Sequence, residues 1–278
     1  MADAIRVLAQ GLNFPEGPAF AADGGLWCVE ARGSALVQWQ EDALIRHDSG
    51  GRACGLAFDG DGRAWFCDAA QNAVRHFTPG NRRWVTVAET VDGGPLAAPN
   101  DLAFDAVGNL VFTCPGDSRA EPTGYVCCLH TDGRVSRIGS GLYFPNGVVF
   151  SADGQTLMVA ETYGRRVWKG GWDSRAGRWL DPYPWAELSG DPGPDGMALG
   201  ADGLLYVAAL RAGQVKAVDA DGQVVAAYDV PGPRPTNVAF DPAGRLGLVV
   251  TEAEHGLLLS LPGLGPGIPP FTPRVAGS

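Results

Sequence analysis

A short unit recurs six times along this chain: an apolar residue, a turn bearing Asp or Gly, and a short apolar strand. It reads as Phe20–Glu30, Phe58–Asp68, Phe104–Cys114, Phe150–Glu161, Leu199–Ala209 and Phe240–Glu252, with successive units opening 38 to 49 residues apart. That spacing is the period of a propeller blade. Each unit is a pair of strands joined at a D-G or D-x-x-G turn, the mark of a β-hairpin. Two further β-rich stretches usually follow, such as Ala73–Thr78 and Arg83–Glu89 after the second unit, or Gly124–His130 and Val135–Gly139 after the third. Four strands per repeat make one blade, so the expected fold is an all-β six-bladed propeller with four antiparallel strands per blade.

The ends of the chain complete the picture. The last unit is followed by one clear strand, Gly256–Leu261, and then by a Pro- and Gly-rich tail over 262–278. The missing outer strand is expected from the other end, at Ala4–Gln10 within residues 1–12, so that the ring closes without an open edge. No composition shift divides the 278 residues, which read as a single domain. The Pro-rich pieces Asp191–Gly196 and Pro231–Pro235 precede units and read as links between blades. Trp172–Ser189, rich in Trp, Pro and Asp, reads as an interblade loop. No convincing amphipathic helix is present.

The 40 glycines and 21 prolines serve the many tight turns such a ring needs. A formal charge of -10 argues against nucleic acid or an anionic membrane as a partner. Met1-Ala-Asp-Ala-Ile-Arg lacks the basic start and apolar run of a signal peptide, and no apolar stretch is long enough to span a membrane. The six cysteines, Cys28, Cys54, Cys67, Cys114, Cys127 and Cys128, form no C-x-x-C pair. Buried free thiols in a reducing cytoplasm are the expectation.

The chemistry is expected four residues before each unit's opening residue. That slot holds Glu16, Cys54, Asn100, Asn146, Asp195 and Thr236. In a propeller the innermost strands line a central channel, so equivalent positions lie at similar depth around one axis. Four of the six slots carry a carboxylate or amide oxygen, the donors that hard cations prefer. Any one of these residues alone is an ordinary turn residue; four in one frame suggest one metal site. Glu16, Asn146 and Asp195 would leave positions open for water and substrate. Asn100 is a fourth ligand or a substrate contact. Pro15, Pro99 and Pro145 precede three slots, and Gly17, Gly147 and Gly196 follow three, fixing the approach and allowing a close bend.

The set Pro15-Glu16-Gly17-Pro18, Pro99-Asn100-Asp101-Leu102, Phe144-Pro145-Asn146-Gly147 and Pro194-Asp195-Gly196-Met197 resembles the SMP-30/gluconolactonase family over nearly the whole chain. The resemblance implies a divalent metal, calcium, zinc, manganese or iron(II), held by Glu16, Asn146 and Asp195 with Asn100 at or beside it. It implies lactone hydrolysis with Asp195 as general base. Sugar-lactone members often carry Arg where this chain has Ala98, and Asp where it has Cys114. Both changes are expected to make the mouth less polar, which keeps a less hydroxylated or aromatic lactone beside a sugar-acid lactone.

Arg52, Tyr143, Phe144, Tyr163 and Arg211 fall near expected blade-top loops and are candidates for lining the substrate pocket. Cys54 reads as a small channel-lining residue, since no His lies near it for activation. The four histidines show no metal spacing, and only His255 is placed to reach the mouth. Glu161 and Glu252 read as hydrogen-bonded blade residues. No G-x-S-x-G elbow supports a serine esterase. The readings that remain are a metal-dependent lactonase, acting as a monomer or small homo-oligomer on a small-molecule lactone; another hydrolase on the same scaffold, such as a phosphotriesterase; and a non-catalytic binding platform.

Overall fold

The computed structural model describes residues 4–41, 43–189 and 192–275. It is a ring of six four-stranded antiparallel sheets. Blade I comprises Pro15–Phe20, Leu26–Glu30, Ala35–Gln40 and Ala43–Asp48, from the axis outwards; blade II comprises Ala53–Phe58, Ala64–Asp68, Ala73–Thr78 and Arg83–Ala88. Blade III is built from Leu102–Phe104, Leu110–Cys114, Gly124–Leu129 and Val135–Leu142, and blade IV from Pro145–Phe150, Thr156–Glu161, Arg166–Asp173 and Arg178–Glu187. Blade V has Gly193–Leu199, Leu205–Leu210, Gln214–Val218 and Val224–Asp229. Blade VI takes Pro235–Phe240, Leu248–Glu252 and Leu257–Leu261 from the end of the chain and Arg6–Ala9 from its start.

The expected closure is therefore present: Arg6 pairs with Ser260 and Val7 with Leu259. The Trp39 indole N–H also donates to Leu8 O at 3.1 Å, tying the closing strand to blade I. Trp172–Ser189 corrects the sequence reading. It holds the end of the strand Arg166–Asp173 and the whole of Arg178–Glu187, the outer edge strand of blade IV. Prolines are tolerated there because an edge strand has an unpaired side that needs no N–H.

The turn chemistry explains why the units fold alike. Asp105 Oδ1 accepts the N–H groups of Val107, Gly108 and Asn109, and Asp59 and Asp241 do similar work in their own turns. The turn glycines adopt positive φ, as at Gly24 (82°) and Gly203 (83°), where a side chain would be strained. Alternation then sends one face of every sheet into each neighbour. Six apolar clusters result, one for each of the six blade interfaces. Trp27 of blade I meets Phe58 of blade II edge-on at 5.9 Å, and Trp65 of blade II meets Phe104 of blade III at 5.5 Å. Among the described residues, all six cysteines are buried and free.

Since the N-terminal strand covers the otherwise open edge of Leu257–Leu261, a chain lacking residues 1–9 should melt several degrees lower and self-associate through that edge. Thermal unfolding followed by light scattering checks this; an unchanged midpoint with a monomeric species would contradict it.

Candidate metal centre and active site

In four blades the approach to the slot is fixed by a buried acid at the end of the second strand. Glu30 accepts the N–H of Asn13 at 3.0 Å, Asp68 that of Arg52 at 2.9 Å, Glu161 that of Tyr143 at 2.6 Å and Glu252 that of Arg234 at 3.0 Å. Three of these acids are also ion-paired, to Arg46, Arg75 and Arg166. Glu161 and Glu252 are thus structural, as the sequence reading held. Blades III and V lack this device. In blade III the approach is held instead by Thr113, whose carbonyl accepts Asn100 N–H at 2.9 Å and whose hydroxyl accepts Asp101 N–H at 3.1 Å. Cys114 is fully buried in the core between blades II and III, so its substitution does not change the mouth; this corrects the sequence expectation.

A β-bulge then breaks the register at the slot in five blades, between Glu16 and Ala19, Ala53 and Leu56, Pro145 and Val148, Pro194 and Met197, and Pro235 and Asn237. Bulges re-aim side chains beside active sites. Adjacent slots are clasped by threonine hydroxyls. Thr113 Oγ1 donates to Asn146 O at 2.9 Å, Thr162 Oγ1 to Pro194 O at 2.7 Å and Thr236 Oγ1 to Pro15 O at 2.7 Å. Thr236, a slot residue itself, is an interblade clasp.

Glu16, Cys54, Asn146 and Asp195 come together in the channel. Burial, the Asp101 charge and only partial relief from Arg52 push the Glu16 carboxyl up to about 8. Burial, Glu16 and Asp101 raise Asp195 well above the carboxylate range, opposed by a hydrogen bond from the Asn146 amide. Asn146 Nδ2 also donates to Thr162 Oγ1 at 3.2 Å, so both its N–H bonds are spent and Oδ1 is the atom left for a ligand. Asn100 is half-buried at the same level, and its carbonyl accepts Gly55 N–H at 2.6 Å. The Cys54 thiol is raised by burial and by Glu16, so it holds its proton and is no activated nucleophile.

Two residues were not singled out from the sequence. Asp101 and Asn237 sit one position after their slots, where the other four blades have glycine. A Cβ on Gly55 would lie 2.2 Å from Asp101 Oδ1, and one on Gly196 2.0 Å from Asn237. The side chains fill these notches, Asn237 donates to Asp101, and Asp101 Oδ2 accepts Val148 N–H at 3.2 Å. Burial lifts Asp101 to about 6. Acid or amide at a position otherwise held by glycine was the available signal.

The candidate substrate residues fall in three places. Arg52 is exposed and close enough to Glu16 to lower its pKa. Tyr143, Phe144 and Tyr163 lie together on blade IV: Tyr163 N–H donates to Tyr143 O, and its ring meets Phe144 at 5.6 Å, with Arg119 over Phe144 at 5.2 Å. Phe14, the equivalent of Phe144 on the opposite blade, carries Arg32 at 4.5 Å, and both phenylalanines have φ of 60°. Arg211 and His255 are exposed in hairpin loops, and His255 N–H donates to Glu252.

Among the described residues no three His, Cys, Asp or Glu side chains converge in the manner of a metal site. The axial set is different in kind: two slot carboxylates, two amides and a third acid beneath them. Arg52 offsets these neighbouring acids only in part, and a hard divalent cation bound by Glu16, Asn146 and Asp195 would supply the remaining counter-charge. The donor set fits such an ion.

Fold and channel together define a class, the six-bladed propellers with an acidic, oxygen-lined axis. The chain belongs to the SMP-30/Gluconolactonase/LRE-like family, whose description matches residues 14–254. It is 33% identical over 156 residues to pentonolactonase XacC of Haloferax volcanii, covering 55% of this chain and 53% of that protein. It is 29% identical over 181 residues to the diisopropyl-fluorophosphatase of Loligo vulgaris, covering 59% and 57%. The chain thus spans little more than half the length of these curated relatives. Among solved structures, a gluconolactonase from Xanthomonas campestris superimposes with a TM-score of 0.80 at 25% identity, over 92% of this chain and 89% of the other.

A raised carboxyl keeps its proton in the folded protein after the unfolded chain has lost it. Metal-free protein should therefore lose stability as pH rises from Glu16's ordinary value of 4.5 to about 8. Added divalent cation should restore more stability at pH 8 than at pH 6. Melting curves in chelator and in metal, across that range, check both signs.

Proposed function

We propose that the protein is a metal-dependent lactone hydrolase working at the channel mouth. The observation that carries this reading is the single tier of oxygen donors, Glu16, Asn100, Asn146 and Asp195, whose two acids are both raised by burial and by neighbouring acids, with only partial relief from Arg52. The lactonases among its relatives support it.

A bound divalent cation would polarise the lactone carbonyl and offset the charge that develops on its oxygen. Glu16, Asn146 and Asp195 would hold that cation, with Asn100 as a further ligand or as a hydrogen-bond donor to substrate. Asp195 receives a proton from the attacking water. The water oxygen bonds to the carbonyl carbon, the ring C–O bond breaks, and the departing alkoxide takes up the proton to give a hydroxy acid. Arg52 offers its guanidinium to the new carboxylate. Tyr143 and Tyr163 form one wall beside Phe144. With Ala98 on blade III where sugar-lactone members of the family often carry Arg, the mouth favours a lactone with an apolar or aromatic substituent over a heavily hydroxylated one. The buried free thiols support a reducing, cytoplasmic setting.

The likeness to diisopropyl-fluorophosphatase favours phosphotriester hydrolysis as a second reading. A panel of sugar lactones, aliphatic and aryl-substituted lactones and phosphotriesters, each with and without added metal, separates the two. Asp195→Ala and Glu16→Ala should each lower lactone turnover by at least about a hundredfold, the usual scale for a lost general base, with Glu16→Ala also weakening metal binding. Full lactonase activity in a chelator-stripped sample, or in either variant, would reject the mechanism.

A further inference from the structure

The channel does not run open from end to end. Immediately after the slots the space is taken: Asp101 fills the notch at Gly55, Asn237 fills the notch at Gly196, and a Cβ on Gly147 would lie 2.4 Å from Asp195 O. Below this level the opposite holds. Three residues past each slot stand Ala19, Ala57, Ala103, Val149, Ala198 and Ala239, and around them lies a chamber of about 600 Å³. None of the six slot residues lines it; Asp101 and Asn237 form its inner end. Five alanines in six blades at one tier are not required for close approach here, because the space they leave is not filled. Interiors ordinarily close such volume with side chains.

The chamber opens at the end of the ring opposite the slots, among the hairpin turns. The C-terminal tail crosses this opening. Ala201 N–H donates to Pro266 O and Ile268 N–H to Leu199 O on blade V, Phe271 packs on Phe150 of blade IV at 6.4 Å, and Gly60 N–H of blade II donates to Pro273 O. Ile268, Pro269, Pro270 and Phe271 all face the cavity. Its only charged lining residues are Asp23 and Asp101; no Lys, Arg or His lines it among the described residues. An anion would find no partner there.

We propose that this lower chamber is a binding site for an uncharged, largely hydrocarbon molecule of about ten to twenty non-hydrogen atoms, with one polar end directed at Asp101 and Asn237. Its volume and apolar walls with few convergent polar groups are those of a small-molecule pocket. The occupant is separated from the slots by the Asp101–Asn237 layer, so the inference stands whether or not the upper site hydrolyses lactones.

The full chain titrated with N-phenyl-1-naphthylamine tests it by fluorescence. One saturable site per chain is expected, displaced by 1-decanol, and Ala103→Leu and Ala198→Leu should each weaken binding at least tenfold while the melting midpoint stays within a few degrees. An independent reading needs no variant: crystals soaked in 8-bromo-1-octanol should show bromine anomalous signal between the alanine tier and the tail. Absence of saturable binding, equal binding by both folded leucine variants, or bromine found only elsewhere would overturn the proposal.

Discussion

Acids held close together in a buried channel are the constraint on which the rest of this molecule turns. Glu16, Asp195 and Asp101 come from three blades; burial raises all three, Asp101 further raises Glu16, and both of them further raise Asp195. Nothing local to any of these segments would place them so. Their proximity costs free energy in the metal-free protein and must be enforced by the ring. The enforcement is visible at three levels: apolar cores between all neighbouring blades, threonine hydroxyls donating across blades to Pro15, Asn146 and Pro194, and buried acids gripping the N–H groups just ahead of four slots. A rigid scaffold that holds acids against their repulsion is a scaffold suited to a cation.

Much of the fold was legible in the sequence because its signals are local. Turn residues, strand alternation and the closing N-terminal strand each follow from a few adjacent side chains. The slot frame was legible for a related reason: repetition converts sequence spacing into depth along one axis. What escaped is non-local. Trp172–Ser189 carries Pro182 and Pro184, which discourage a strand, yet the outer edge of a blade accepts them. The resemblance to sugar-lactone members, which often carry Asp there, set Cys114 at the mouth, but blade III turns it into the core with Tyr125. Asp101 and Asn237 escaped because their meaning lies in notches on other blades, left by Gly55 and Gly196.

The same layer divides the channel into two halves of different chemistry. Above it, acids, amides and arginines face a mouth flanked by Phe14 and Phe144 on opposite blades. Below it, alanines leave an apolar chamber strapped by the C-terminal tail. A β-bulge near the slot in five of the six blades makes this division possible. It lets a residue at the slot and another three positions later both face the axis, which regular alternation would forbid.

The most direct test is to locate the ion. Crystals grown with manganese should give an anomalous difference peak on the axis, about 2.0–2.6 Å from oxygens of Glu16, Asn146 and Asp195, the range for hard divalent cations. A peak elsewhere, or an axis holding only water at saturating metal, would contradict the account.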